Sequence, residues 1–193
     1  MKKALIVLMS IVALFFAPGT TQAADLTDGA LGIPWGASPA QARQLMEQNN
    51  YAFVEQMVYP KGVPLPMFVY RGLYASYPAT VRIEFINNQM VVVAVILWEG
   101  KLTETFRDLN GLLTEKYGLL TSNFSVYYEP KPCRGGLRKE SYWKNVGAAG
   151  LNITLIYYPG LKCPDGDIPE SVSVEYKNDG LVEKLKDQSR QNI

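Results

Sequence analysis

The 193 residues carry 19 lysines and arginines against 18 aspartates and glutamates, with two cysteines and no histidine. A balance this close provides no global field for nucleic acid or an anionic membrane, so neither is an expected partner. Without imidazole the chain lacks the commonest general base, the usual zinc ligand and every Ser-His or Cys-His pair, and two cysteines do not replace them, so no metal and no cofactor is expected.

The chain begins with Lys2 and Lys3, an apolar run ALIVLMSIVALFFA, a Pro18-Gly19 breaker and the small-residue stretch TTQA. This is the three-part layout of a secretory signal. The run is about 14 residues, whereas a bilayer-spanning helix needs roughly 20. We expect residues 1–23 to be a signal peptide removed after Ala23, delivering residues 24–193 to the bacterial periplasm or beyond. Loss of Lys2 and Lys3 leaves 17 basic against 18 acidic residues. No integral membrane segment is expected after cleavage, because the longest later apolar run, MVVVAVILW (90–98), has the length of a buried strand.

Ser38-Pro39-Ala40-Gln41 is a helix start: the serine can cap, proline suits the first turn and the glutamine can reach back. Ala42, Leu45 and Met46 continue it as an apolar stripe, which predicts a helix over 38–49. Strand patterns follow at 51–59, 67–74, 79–87 and 90–98, the first two joined by a proline-rich connection. Val81, Ile83 and Phe85 alternate with Arg82 and Glu84, as in a sheet with one wet face. Asn87-Asn88 supplies a tight turn into 90–98, which is apolar throughout and therefore expected at the centre.

A second helix is expected over 103–117, with Phe106, Leu109, Leu113 and Tyr117 on one face and Gly118 as its stop. Strand patterns return at 123–129, 137–146, 151–158 and 171–177, and a terminal helix at 180–188 closes the chain. The reading is an α+β fold: antiparallel sheet with helices packed on one face, built as two tandem helix-plus-four-strand repeats. Residues 24–100 form the first half and 101–193 the second, within one compact domain.

Cys133 and Cys163 flank the hairpin that turns at GAAG (147–150). Facing residues in an antiparallel hairpin share a constant sum of positions. The turn sets that sum near 296 to 298, so the two cysteines, which sum to 296, face each other within about a residue, and that register also puts Trp143 and Ile153 on one face. In an oxidising compartment that arrangement is a disulfide.

Several other stretches bear on chemistry. SYWK (141–144) has the Ser-x-x-Lys spacing of penicillin-recognising enzymes, but in a strand positions three apart point to opposite faces. Asp165, Asp167 and Glu170 in CPDGDIPE offer hard oxygen ligands without the full calcium-loop pattern, and a Pro-Asp-Gly turn explains them equally. Arg134, Arg138, Lys139 and Lys144, beside Gly135-Gly136, are candidates for holding an anion or an acidic partner; a solvated loop next to Glu129 and Glu140 is the alternative. Tyr70, Tyr74 and Tyr77 are candidates for an aromatic interface, against ordinary sheet packing.

GIPWGASPAQARQLM and FRDLNGLLTEKYGLL resemble small exported bacterial proteins of uncharacterised function, with a Trp-Gly-x-Ser helix entry and a Lys-Tyr-Gly helix end. The arrangement also resembles the helix-plus-four-strand repeats of the beta-lactamase inhibitory protein and related outer-membrane assembly lipoproteins, although the lipid-bearing cysteine is absent. The resemblance implies the fold and a binding role, and carries over no site. The function expected is that of an exported, non-enzymatic binding or protein-interaction protein, whose partner is an envelope protein or a small ligand. The alternative is a carboxylate-dependent envelope glycan hydrolase, for which Glu84, Glu99, Asp165, Asp167 and Glu175 are available.

Overall fold

A computed structural model of the protein describes residues 29–58, 66–146 and 150–191. The expected signal peptide (1–23), Tyr59 with most of the proline-rich connection, and residues 147–149 of the expected GAAG turn lie outside the described residues.

Two short strands, β1 (Gly29–Ala30) and β2 (Ile33–Pro34), open the fold as a miniature hairpin. Strands of two residues carry no periodicity, and the sequence reading had no element there. Helix α1 (Pro39–Gln48) starts as expected: the Ser38 hydroxyl accepts from the Gln41 N–H, and the Gln41 side-chain oxygen accepts from the Ser38 N–H. This reciprocal box satisfies two of the helix's orphan donors.

The strands β3 (Ala52–Val58), β4 (Pro66–Tyr74), β5 (Tyr77–Ile86) and β6 (Gln89–Leu97) form an antiparallel meander. Helix α2 (Leu102–Tyr117) follows and stops at Gly118, whose φ of 83° is left-handed and whose N–H donates to the Thr114 carbonyl. Glycine takes that conformation without a Cβ penalty. A second meander consists of β7 (Ser122–Tyr128), β8 (Gly136–Val146), β9 (Leu151–Tyr158) and β10 (Ser171–Asn178), and helix α3 (Asp179–Gln191) ends the chain.

All eight long strands join one sheet in the order β3-β4-β5-β6-β10-β9-β8-β7. Each half is therefore a helix followed by a four-strand meander, and the halves meet where their fourth strands, β6 and β10, pair antiparallel. That meeting explains why MVVVAVILW is apolar throughout: β6 lies in the middle of the sheet and is packed on both faces.

One face carries the main core. Ala42 and Met46 of α1 and Leu102, Leu109 and Leu113 of α2 pack there against Val81, Ile83, Phe85, Val93, Val95, Ile153, Leu155, Val172 and Val174. The α+β architecture, an antiparallel sheet with α1 and α2 packed on one side, is thus the one expected. Trp143 is buried in the same core, and its indole N–H donates to the Gly118 carbonyl at 3.1 Å, tying the end of α2 to β8. A register shift beside Glu84 and Phe85 leaves Val91 unpaired with β5. Val91 and Val92 then form a second, small core with Val182 and Leu185 of α3, at the end of the sheet. Among the described residues, no helix is long and apolar enough to cross a membrane.

Candidate functional site

Strand alternation decides which side chains face the helices. On β8, Ser141 and Trp143 stand opposite Leu155 and Ile153, on the helix side. Arg138, Glu140 and Tyr142 therefore project to the other face, as do Phe124 and Tyr128 on β7 and Tyr158 on β9. Neither α1 nor α2 covers that face.

There these six side chains form one connected cluster. The Glu140 carboxylate is only 4% exposed. Arg138 Nε lies 2.5 Å from its Oε1, and the Tyr142 hydroxyl donates to its Oε2. The Arg138 guanidinium sits 4.8 Å from the ring centre of Tyr158 and 5.6 Å from that of Tyr128. Phe124 stacks on Tyr142 with ring centres 5.6 Å apart and planes at 19°. Burial, with Glu140 both accepting the phenolic proton and standing beside it, pushes Tyr142 up to about 12. Its hydroxyl thus stays a donor across the physiological range, and the carboxylate keeps its second partner. An arginine flanked by aromatic rings and a carboxylate is held in one geometry by electrostatic and stacking contacts at once.

Nearer the centre of the same face stand Arg82, Glu84, Glu175 and Lys177, by the pairings of β5, β6 and β10. Burial, and then the charge of Glu84, raise Glu175 above the usual carboxylate range, while Lys177 opposes the shift.

The basic candidates from the sequence do not converge. Arg138 is already neutralised by Glu140, and β8 sends Lys139 to the opposite face, with its ammonium 5.9 Å from the Tyr157 ring. Lys144 is exposed over the Tyr142 ring, and Arg134 is exposed at the disulfide loop, where it bridges to Lys162. The reason is the two-residue period of a strand, which separates neighbours that look clustered in sequence. The aromatic interface expected at Tyr70, Tyr74 and Tyr77 also requires correction. All three point to the helix side: Tyr70 is fully buried, Tyr77 is half-buried, and the Tyr74 hydroxyl bonds that of Tyr176 at 2.6 Å.

Ser141 and Lys144 lie on opposite faces, and the Ser141 hydroxyl accepts from Asn110 of α2. Asp167 pairs with Lys162, whereas Glu170 accepts from the Tyr157 hydroxyl at 2.8 Å. Among the described residues, no group of three or more Cys, Asp or Glu side chains converges as a metal site would require. Open clefts occur among the described residues. One of about 340 Å³ includes Arg71, Thr80, Trp98 and Glu99; one of about 420 Å³ includes Trp35, Gln41 and Gln44; one of about 240 Å³ between α2 and β7 includes Asn110, Asn123, Lys139 and Glu140. None brings two carboxylates together.

The sequence reading has Arg138 among its candidates and Glu140 on the same strand only as a neighbour of a solvated loop, and it singles out none of Tyr142, Tyr158, Phe124 and Tyr128. The signal was present. Arg138, Glu140 and Tyr142 are alternate residues of a strand, so they share a face, and opposite charges two apart are partners there. No family model, no curated protein and no solved structure matches the chain.

Proposed function

We propose that this chain is an exported, non-enzymatic binding protein of the bacterial periplasm, which docks a partner protein on the uncovered sheet face around Arg138, Glu140 and Tyr142. The observation that carries this reading is the buried Glu140 carboxylate on a face that α1 and α2 leave bare. Desolvating an ion pair contributes little or nothing to stability compared with apolar side chains of the same volume. A fold that needed only stability would therefore fill those positions with leucine or valine. Placed instead among four aromatic rings, the pair gives a rigid patch of tyrosine and arginine, the residue types that dominate binding hot spots. Removal of residues 1–23 on export would deliver the chain to a compartment in which the Cys133–Cys163 bond persists.

The glycan-cleaving alternative draws on Glu84 and Glu175, which share the face. Neither lines any of the three clefts, and a hydrolase needs its two carboxyls across a cleft that holds the sugar.

The test is site-directed photo-crosslinking in intact cells expressing the full-length sequence. A benzophenone amino acid at Phe124 should give a discrete adduct with another protein, distinct in mass from a crosslink between two copies of this chain, and Tyr158→Ala should abolish it. The same probe at Leu112, exposed on α2, is the control. Equal adducts from both positions, or none from Phe124, would overturn the proposal.

A further inference from the structure

The eight-stranded sheet has two edges, and they are built differently. The β3 edge carries a bulge between Phe53 and Glu55, and Glu55 places a charge within the strand. Both are devices by which natural sheets discourage pairing with another chain. The β7 edge has neither. Its register with β8 is unbroken from Ser122–Tyr142 to Tyr128–Gly136, and residues 121–128, TSNFSVYY, contain no charge and no proline. Its apolar side chains are nonetheless bare: Phe124, Val126 and Tyr127 are 47%, 45% and 63% exposed. Every second residue of such a strand directs its N–H and C=O outward, where no strand among the described residues receives them.

The geometry points to a second copy of this chain as the occupant: two β7 strands pair antiparallel about a twofold axis through Ser125, which joins two sheets into one. An axis perpendicular to the sheet keeps each side chain on its own face, so residues of equal parity must meet. The register centred on Ser125 is the one that uses all seven residues of the strand. It sets Phe124 against Val126 of the second copy, Ser122 against Tyr128, and Asn123 against Tyr127, with the two Ser125 side chains adjacent. At the centre of the uncovered face Phe124 and Val126 meet as apolar partners, polar groups meet on the helix side, and no like charges are opposed. Phe124 already stacks on Tyr142, so the apolar layer would run unbroken from one copy into the other. The pairing would also place both uncovered faces on the same side of the dimer. The edge argument does not require a partner on that face.

Sedimentation equilibrium of the purified exported chain, over micromolar to millimolar concentrations, tests it in the absence of any partner. A reversible monomer–dimer equilibrium is expected. Val126→Lys, a change at an exposed edge position, should raise the dimer dissociation constant at least tenfold while the circular dichroism spectrum stays unchanged. Ser125→Cys should form an intermolecular disulfide in mild oxidant, located by mass spectrometry. Ser122→Cys should not, since its equivalents would lie roughly 20 Å apart, six residues along the paired strands. A monomer at every concentration would leave this edge to a strand from some other protein and overturn the inference. Equal crosslinking at 122 and 125, or a dimer unaffected by Val126→Lys, would overturn it as well.

Discussion

Cys133 and Cys163 are joined, with Cα atoms 4.2 Å apart, at positions ten residues beyond the point where Trp143 faces Ile153. The register set in the middle of the β8–β9 ribbon therefore persists to its open end, and Arg134 still bridges to Lys162 one step inside the bond. The disulfide closes a loop with a sequence separation of 30. Loop-closure entropy assigns that bond roughly 3–4 kcal/mol. Replacing both cysteines by serine should lower the melting temperature by roughly 7–14 °C for a domain of this size, measured by calorimetry. A loss under about 1 kcal/mol would mean that the ribbon closes without its covalent tie.

Arg138 and Glu140 should respond to substitution as a pair. Arg138→Met strands a carboxylate that is 4% exposed, and breaking a buried pair in this way destabilises by about 3–5 kcal/mol. Adding Glu140→Leu removes the stranded charge and should recover most of that loss. A double-mutant cycle by urea unfolding at neutral pH separates the outcomes. If Arg138→Met alone is as mild as a surface substitution, Glu140 is not desolvated and the rigid patch loses its basis.

Most of the backbone was legible in the residues because its signals are local. Ser38 and Gln41 box the start of α1, Gly118 ends α2, and the Asn87-Asn88 turn takes positive φ at both positions, 49° and 59°. The register of β8 on β9 was legible too, since Trp143 and Ile153 had to share a buried face. Which face of each strand the helices would cover was not. Tyr70 and Tyr142 are both tyrosines in alternating strands, yet the first lies under α1 and the second on the bare side. That difference is set by packing over distances that no short stretch encodes. Nor does the sequence reveal that β7 lies at an edge, because edge position follows from β6 pairing with β10 rather than from anything within residues 122–128.

Glu175 gives the uncovered face a pH dependence of known sign. Burial and Glu84 raise its folded pKa above the usual 4.5, so the neutral acid fits the fold better than the carboxylate. Stability is therefore fully present below the unfolded value and falls as pH rises through the folded one. Glu175→Gln, which fixes the uncharged form, should raise the melting temperature at pH 7. The gain should shrink on acidification and vanish below about pH 4, where the wild-type side chain is neutral in both states. A gain that is independent of pH would trace to packing instead.

The tyrosines on the helix side set the alkaline limit of the fold. Burial pushes Tyr70 up to about 12 and raises Tyr74 and Tyr176, which share a hydrogen bond at 2.6 Å. In the unfolded chain each ionises near 10. Above that pH the unfolded state releases protons that the folded state retains, so stability present below 10 drains away as pH climbs towards the folded values. Tyrosinate absorbance should accordingly rise in two stages. The exposed rings should titrate first, and a cooperative step should coincide with loss of near-ultraviolet circular dichroism. Converting both Tyr74 and Tyr176 to phenylalanine removes two of the hydroxyls that drive the second stage, and should move that step to higher pH. If all twelve tyrosines of the native protein ionise together near 10, these rings are not held under the helices, and the division of the sheet into a covered and a bare face fails with them.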